Sequence, residues 1–203
     1  MTSLYRSYKT FLEKCKLLRE KGNLKNFKRG ETILTEGTAG FSFYLILKGM
    51  VDIVLYSSEG RRVLLNTLKE GDFFGEMSVL EGLPRSANVE ARTDCKVLEI
   101  YRDDFLYAIR KSPDCAILLL TELCKRLRET NEKIRILSIA SAEERVKRYI
   151  ELLWAKSKAE NKKLILPSRR IIGEEIGLTR ETVTRIIKRL EKNGWLREFL
   201  EEG

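Results

Sequence analysis

Arg180, Glu181, Thr184, Arg185 and Lys188 fall on one side of a stretch whose other side, Val183, Ile186, Ile187 and Leu190, is apolar. At helical spacing that division gathers guanidinium, carboxylate, hydroxyl and ammonium groups on one solvent face. An arginine fork fits the guanine edge and a carboxylate accepts from the cytosine amino group, so the set suits base reading in a major groove. Glu181 either reads a base in this way or complements the positive end of the helix dipole. Lys188, Arg189 and Lys192 suit phosphate contacts or plain solvation. Other chemistries are closed off by composition. The 203 residues contain no histidine, which excludes imidazole acid–base catalysis, Ser-His-Asp triads and histidine-held metal or haem. With no Walker loop and no metal cluster either, an enzyme is not expected. Cys15, Cys95, Cys115 and Cys124 are scattered without a Cys-x-x-Cys pair, which argues against a zinc ribbon or a disulfide framework and fits a reducing compartment.

The elements that must position this face lie next to it in the chain. Ser168 is a candidate N-cap for a short helix through Ile171, Ile172 and Ile176. Gly177 can take the left-handed conformation of a tight turn, Leu178 fills the space beneath it, and Thr179 caps the helix from Arg180 to Lys192. Helix, glycine turn and capped basic helix make a helix-turn-helix, whose second helix enters the groove by its N-terminal end. The net charge of +9 favours anionic partners, with a generic basic surface as the alternative.

Upstream the texture differs. From about Gly30 to Tyr101 short β-rich runs are punctuated by glycine turns, the pattern of a sandwich or barrel. From Pro113, with Ser112 as a plausible cap, no glycine or proline interrupts the chain until Pro167. Within that stretch Ile117, Leu120, Cys124, Leu127, Asn131, Ile134 and Ser138 alternate in steps of three and four, an a/d seam. It reads as a dimer seam or as an ordinary amphipathic core helix. A second stripe, Leu119, Leu123, Ile134 and Leu137, lies beside it. Glu143–Lys156 is expected to be helical, Ser157–Lys163 a solvated connector and Leu164–Leu166 a short strand. No stretch has the length of a membrane span, and the opening residues Met1–Arg6 lack the apolar core of a signal peptide, so a cytoplasmic protein with no membrane partner is expected.

From about Gly30 to Trp195 the sequence resembles the cyclic-AMP receptor protein / fumarate-nitrate regulator (CRP/FNR) family. The string Arg180-Glu181-Thr182-Val183-x-Arg185 resembles the DNA-reading sequence of its cyclic-AMP receptor branch. That resemblance implies base contacts from Arg180, Glu181 and Arg185 to a TGTGA-type half-site, and phosphate contacts from Ser168, Arg169 and Thr182. With the cap Thr179 and with Lys188, these residues form the expected DNA-binding set. Phe74-Gly75-Glu76-Met77-Ser78-Val79-Leu80-Glu81-Gly82-Leu83-Pro84-Arg85-Ser86-Ala87 resembles the family's phosphate-binding cassette. Arg85 would pair with a cyclic phosphate, helped by Ser86 and backbone N–H groups, while Glu76 accepts from the ribose 2′-hydroxyl. The bland alternative pairs Glu76 with Arg85 inside the roll. Gly75 lets backbone approach the ligand, and Met77 belongs to the same cassette. In Leu127–Lys133, Thr130 matches a threonine that touches adenine across the family's dimer. Asn131 stands where the family has serine; it either contacts ligand or fixes dimer register, and both roles can coexist.

The resemblance implies an α+β architecture: a cyclic-nucleotide-binding β-roll of jelly-roll type (1–112), a long dimerisation helix (113–137) and a winged-helix-type helix-turn-helix with a shortened wing (138–203). It implies no tightly bound cofactor or metal, cyclic AMP or a related cyclic nucleotide as allosteric effector, and double-stranded DNA and a second copy as partners. RNA polymerase joins them if the protein is an activator. The iron–sulfur branch needs an N-terminal cysteine cluster and the haem branch a histidine, and neither is present. Two alternatives stand beside this reading. One is a regulator of the same type that is constitutive or senses another small molecule; the other is a nucleotide-binding module acting on a protein partner.

Overall fold

The computed structural model describes residues 16–159, 161–197 and 199, so Cys15 and the opening residues lie outside the described residues. Contacts divide the chain into two compact units, Met1–Cys124 and Lys125–Gly203.

In the first unit a helix α1 (Lys16–Lys21) precedes strands β1 (Asn23–Phe27), β2 (Thr32–Leu34), β3 (Ser42–Lys48), β4 (Met50–Tyr56), β5 (Arg62–Lys69) and β6 (Phe73–Phe74). A short helix α2 (Glu76–Glu81) interrupts the series before β7 (Asn88–Ala91), β8 (Cys95–Tyr101) and helix α3 (Arg102–Lys111). The strands form two four-stranded antiparallel sheets in the orders β1-β8-β3-β6 and β2-β7-β4-β5. The sequence Phe43-Tyr44-Leu45-Ile46 is continuously apolar because β3 is covered on both faces. Phe43 and Leu45 join a core with Phe73, Val79, Leu98, Ile100 and Phe105, where Phe43 stacks on Phe105 at 4.4 Å between ring centres. Tyr44 and Ile46 join the other core with Val51, Leu68, Phe74, Val89 and Val97. Asp52 is paired in register with Thr67 and Glu90, and a polar cluster satisfies it: Arg62 lies 2.9 Å away and Thr67 donates at 2.8 Å.

Helix α4 spans Pro113–Leu137 and opens on Ser112, whose Oγ accepts from the Cys115 N–H at 3.3 Å. In the first unit its residues Cys115 and Leu119 are buried, and Leu118 and Leu123 pack on the same core. Cys115 is disulfide-bonded, a correction to the thiol state expected from the scattered cysteines, whereas Cys95 and Cys124 are free. The expected second stripe also breaks: in the second unit Ile134 and Leu137 are exposed, and Ile136 is the α4 residue that enters the core. The a/d seam lies on a face that neither core uses, and Ile117, Leu120, Leu127 and Ile134 are 59–61% exposed.

The second unit adds α5 (Ala142–Ala159), α6 (Arg169–Ile176) and α7 (Arg180–Lys192). Helix α5 runs past Lys156, so the first residues of the expected connector are helical. Leu164–Leu166 is not a strand; Leu164 is buried against the helices while Ile165 is 82% exposed. No β-strand occurs in this unit among the described residues, and beyond α7 the chain turns at Gly194 and packs Leu196, Trp195 and Phe199 on the helical core. Helix and turn therefore occupy the described segment where a short wing was expected. No helix among the described residues is long and apolar enough to cross a membrane.

Candidate functional site

Two side-chain sets are assembled, one in each unit. In the second unit the face of α7 is fixed by burial of Val183, Ile186, Ile187 and Leu190. Its start is held by Thr179, whose Oγ1 accepts from the Thr182 N–H at 3.2 Å and bonds the Thr182 hydroxyl at 3.0 Å. Helix α6 is capped in the same way, Ser168 Oγ accepting from Ile171 N–H at 3.4 Å. Between them Gly177 adopts φ 68°, where a side chain would be strained, and donates its N–H to the Gly173 carbonyl. At Gly173 a Cβ would stand 2.4 Å from the Leu178 carbonyl oxygen, so its lack of a side chain lets the turn close on α6.

That packing leaves Arg180, Glu181, Thr184, Arg185 and Lys188 lining one shallow concavity. Pro167, Ser168, Arg169, Arg170 and Arg180 line a second, so Arg180 borders both. None of the Arg180, Glu181, Arg185 and Lys188 side chains has an ion-pair or hydrogen-bond partner among the described residues. Neighbouring charges do: Arg170 pairs with Glu174, Arg169 lies 3.4 Å from Glu191, and Arg189 pairs with Glu143. What remains is a basic face with one carboxylate near its leading end and its donors uncommitted, chemically suited to an anionic, base-edged surface.

In the first unit the cassette residues sit on and around α2. Gly75 precedes α2 at φ 78°, Glu76 is buried, and Met77 is exposed, its sulfur accepting from the Ser86 hydroxyl at 3.4 Å. Arg85 is only 6% exposed. Its Nη1 donates to the Gly75 carbonyl at 3.0 Å and to Ser78 Oγ at 2.7 Å, and its Nη2 donates to the Ser42 carbonyl at 2.8 Å. The Tyr44 ring lies under the guanidinium, 5.9 Å from Cζ, and the Tyr44 hydroxyl donates to Glu99 at 2.7 Å. Burial, reinforced by Glu99, pushes the Tyr44 phenol up to about 12. Burial lowers the Arg85 guanidinium from its ordinary value, and Tyr44, Glu76 and Glu99 oppose that shift by favouring the cation.

A guanidinium carries five N–H donors. With Nη1 engaged twice and Nη2 once, the Nε–H and the second Nη2 hydrogen have no acceptor among the described residues. These two donors form the edge that binds a carboxylate or phosphate side-on. Gly75, Glu76, Met77, Arg85 and Ser86 are thus brought together. Thr130 and Asn131 belong to the second unit and are exposed on α4, with Thr130 Oγ1 donating to the Arg126 carbonyl at 2.9 Å. Ser42, through its backbone carbonyl, Tyr44 and Ser78 hold Arg85, and none of the three was among the site residues expected from the sequence. Only Ser78 lay within the recognisable cassette, and a serine in a β-rich chain carries no local sign of the partner it will meet.

Residues 24–112 match the model of the cyclic nucleotide-binding domain, and residues 144–201 that of the Crp-like helix-turn-helix domain. The cAMP-activated global transcriptional regulator CRP of Salmonella typhimurium is 32% identical over 173 residues, covering 83% of this chain and 82% of its own. Among solved structures, the Thermus thermophilus catabolite activator protein is 28% identical with a TM-score of 0.56, covering 90% of this chain and 84% of that one. The c-di-GMP responsive global regulator CLP of Xanthomonas campestris shares the fold at a TM-score of 0.76 and 22% identity, covering 90% and 92%. A cyclic nucleotide-binding sandwich, a long helix and a Crp-like helix-turn-helix in one chain make this protein a member of the CRP/FNR family of DNA-binding transcription regulators.

Proposed function

We propose that the chain acts as a dimer whose affinity for DNA is set by a cyclic nucleotide, cyclic AMP first, and that it reads an inverted repeat of TGTGA-type half-sites. The observation that carries the effector half is the Arg85 guanidinium, anchored through Nη1 and one Nη2 hydrogen, with the Nε–H and the other Nη2 hydrogen left without an acceptor among the described residues. A phosphodiester supplies two oxygens at the spacing that edge requires. Ser86 would add a donor to the same phosphate, and the buried Glu76 an acceptor for the ribose 2′-hydroxyl. The resemblance carries an effector role to Thr130 and Asn131 as well. The operator half is supported by the uncommitted Arg180, Glu181 and Arg185; Ser168, Arg169, Thr182 and Lys188 would meet phosphates, and Thr179 caps the helix start. Two copies joined along the α4 seam would set two such helices about one DNA turn apart. For the effector to act it must favour the DNA-competent arrangement over the alternative, since equal affinity for both shifts nothing.

Calorimetric titration with cyclic AMP, alone and with a TGTGA inverted repeat, tests this. Micromolar binding that tightens the DNA complex is the expected result. A second reading has its own support: Arg85 already bridges Ser42, Gly75 and Ser78, which a purely structural arginine would also do. DNA binding with no response to cyclic AMP would replace the ligand-gated regulator with a constitutive one or one with a different effector. Nucleotide binding with no DNA shift would favour a module that acts on a protein.

A further inference from the structure

We propose that Ser78 is a positioning residue for effector binding: its hydroxyl decides which edge of the Arg85 guanidinium is offered to the ligand. This rests on the reading of Arg85 as the anion-binding group.

Of the three acceptors around the guanidinium among the described residues, two are backbone carbonyls, Ser42 and Gly75, present whatever side chains stand there. Ser78 Oγ is the one side-chain acceptor, at 2.7 Å, and Ser78 is 2% exposed. Its own hydroxyl hydrogen is directed to the Gly75 carbonyl at 3.4 Å, leaving the oxygen lone pairs to Arg85. The slot has little slack. A Cβ on Gly40 would stand 2.3 Å from Ser78 Oγ and 2.8 Å from Arg85 Cζ, and one on Gly75 would stand 2.8 Å from Arg85 Nη1. Glycine on both walls lets backbone close around the guanidinium. Both Nη1 hydrogens are used, one by Gly75 and one by Ser78, so the plane is fixed about that corner. The Nε–H and the Nη2 hydrogen not given to Ser42 then have a single orientation in which to meet a phosphate.

Removing Oγ leaves one Nη1 hydrogen inside the slot without an acceptor. The group can then turn to satisfy it, and the fork is aimed for only part of the time. The cost appears in ligand affinity, as lost preorganisation.

The experiment is calorimetry on the full chain, comparing wild type with Ser78→Ala in both the native and the Arg85→Lys backgrounds, with cyclic AMP, cyclic GMP and inorganic phosphate as probes. Lysine keeps the charge but presents no fork. The expected result is affinity about tenfold weaker in Ser78→Ala, the scale of one charge-assisted hydrogen bond. The same change in the Arg85→Lys background should have almost no effect. Ser78→Gly, which also lacks Oγ, supplies the same comparison if the alanine variant does not fold. Unchanged affinity in Ser78→Ala, or an equal loss in both backgrounds, would overturn the positioning role while leaving Arg85 as the anion site. Failure of wild type to bind all three probes would overturn both together.

Discussion

Three arginines show how little residue type decides by itself. Arg85 is buried and bonds three protein acceptors, Arg189 is drawn to Glu143, and Arg180 stands on α7 with no partner among the described residues. Arg189 and Arg180 share one helix and part company because a carboxylate of α5 lies beside the first. Glu181 is the informative exception on the recognition face, since a carboxylate near phosphates is unfavourable unless a base donor compensates. Glu181→Ala should relax base choice at one position of each half-site, losing about 1–3 kcal/mol of discrimination there. Competition binding against operators carrying each base at each position would show it. A preference profile identical to wild type would instead leave Glu181 as a partner of the helix dipole.

At the scale of elements, α4 divides its faces between two tasks. Cys115, Leu119 and Leu123 face the first unit's core, Ile136 faces the second's, and the a/d row faces neither. A row of Ile and Leu side chains left about 60% exposed is unfavourable in water unless an identical row covers it, at roughly 1.5–3 kcal/mol per side chain buried. Leu127→Glu places a like charge opposite itself in a parallel pair and should convert a dimer to a monomer at micromolar concentration. Sedimentation velocity distinguishes the outcomes, and a variant that stays dimeric would mean the copies join elsewhere. The helix-turn-helix shows the complementary case, because the caps Ser168 and Thr179 and the left-handed Gly177 hold α6 and α7 by local chemistry.

For the molecule as a whole, the net charge of +9 implies that part of the DNA affinity comes from releasing condensed counterions. The logarithm of the affinity should therefore fall linearly with the logarithm of salt concentration, and Lys188→Ala should lower the slope by about 1 for each half-site engaged. Filter binding or anisotropy at several salt concentrations measures this. A weaker complex with an unchanged slope would assign Lys188 to a contact other than phosphate.

The sequence by itself determined whatever depends on near neighbours. Caps at Ser112, Ser168 and Thr179, the turn at Gly177, the apolar face of α7 and the extent of α4 are all set by residues three or four apart, and each stands in the structure as read. The family was legible for the same reason, through unbroken strings such as Arg180–Arg185 and Phe74–Ala87. What only the tertiary structure decided are the pairings across long separations. Arg85 meets Ser42, which is distant in sequence, Arg189 meets Glu143, and Ile136 rather than Ile134 or Leu137 turns into the core. Leu164–Leu166 has strand-like residues but no neighbouring strand among the described residues, and a β-strand exists only where a partner supplies the other half of its hydrogen bonds. A local pattern specifies the bonds a segment makes with itself; the partners of its remaining donors and acceptors are fixed only when the chain has closed around them.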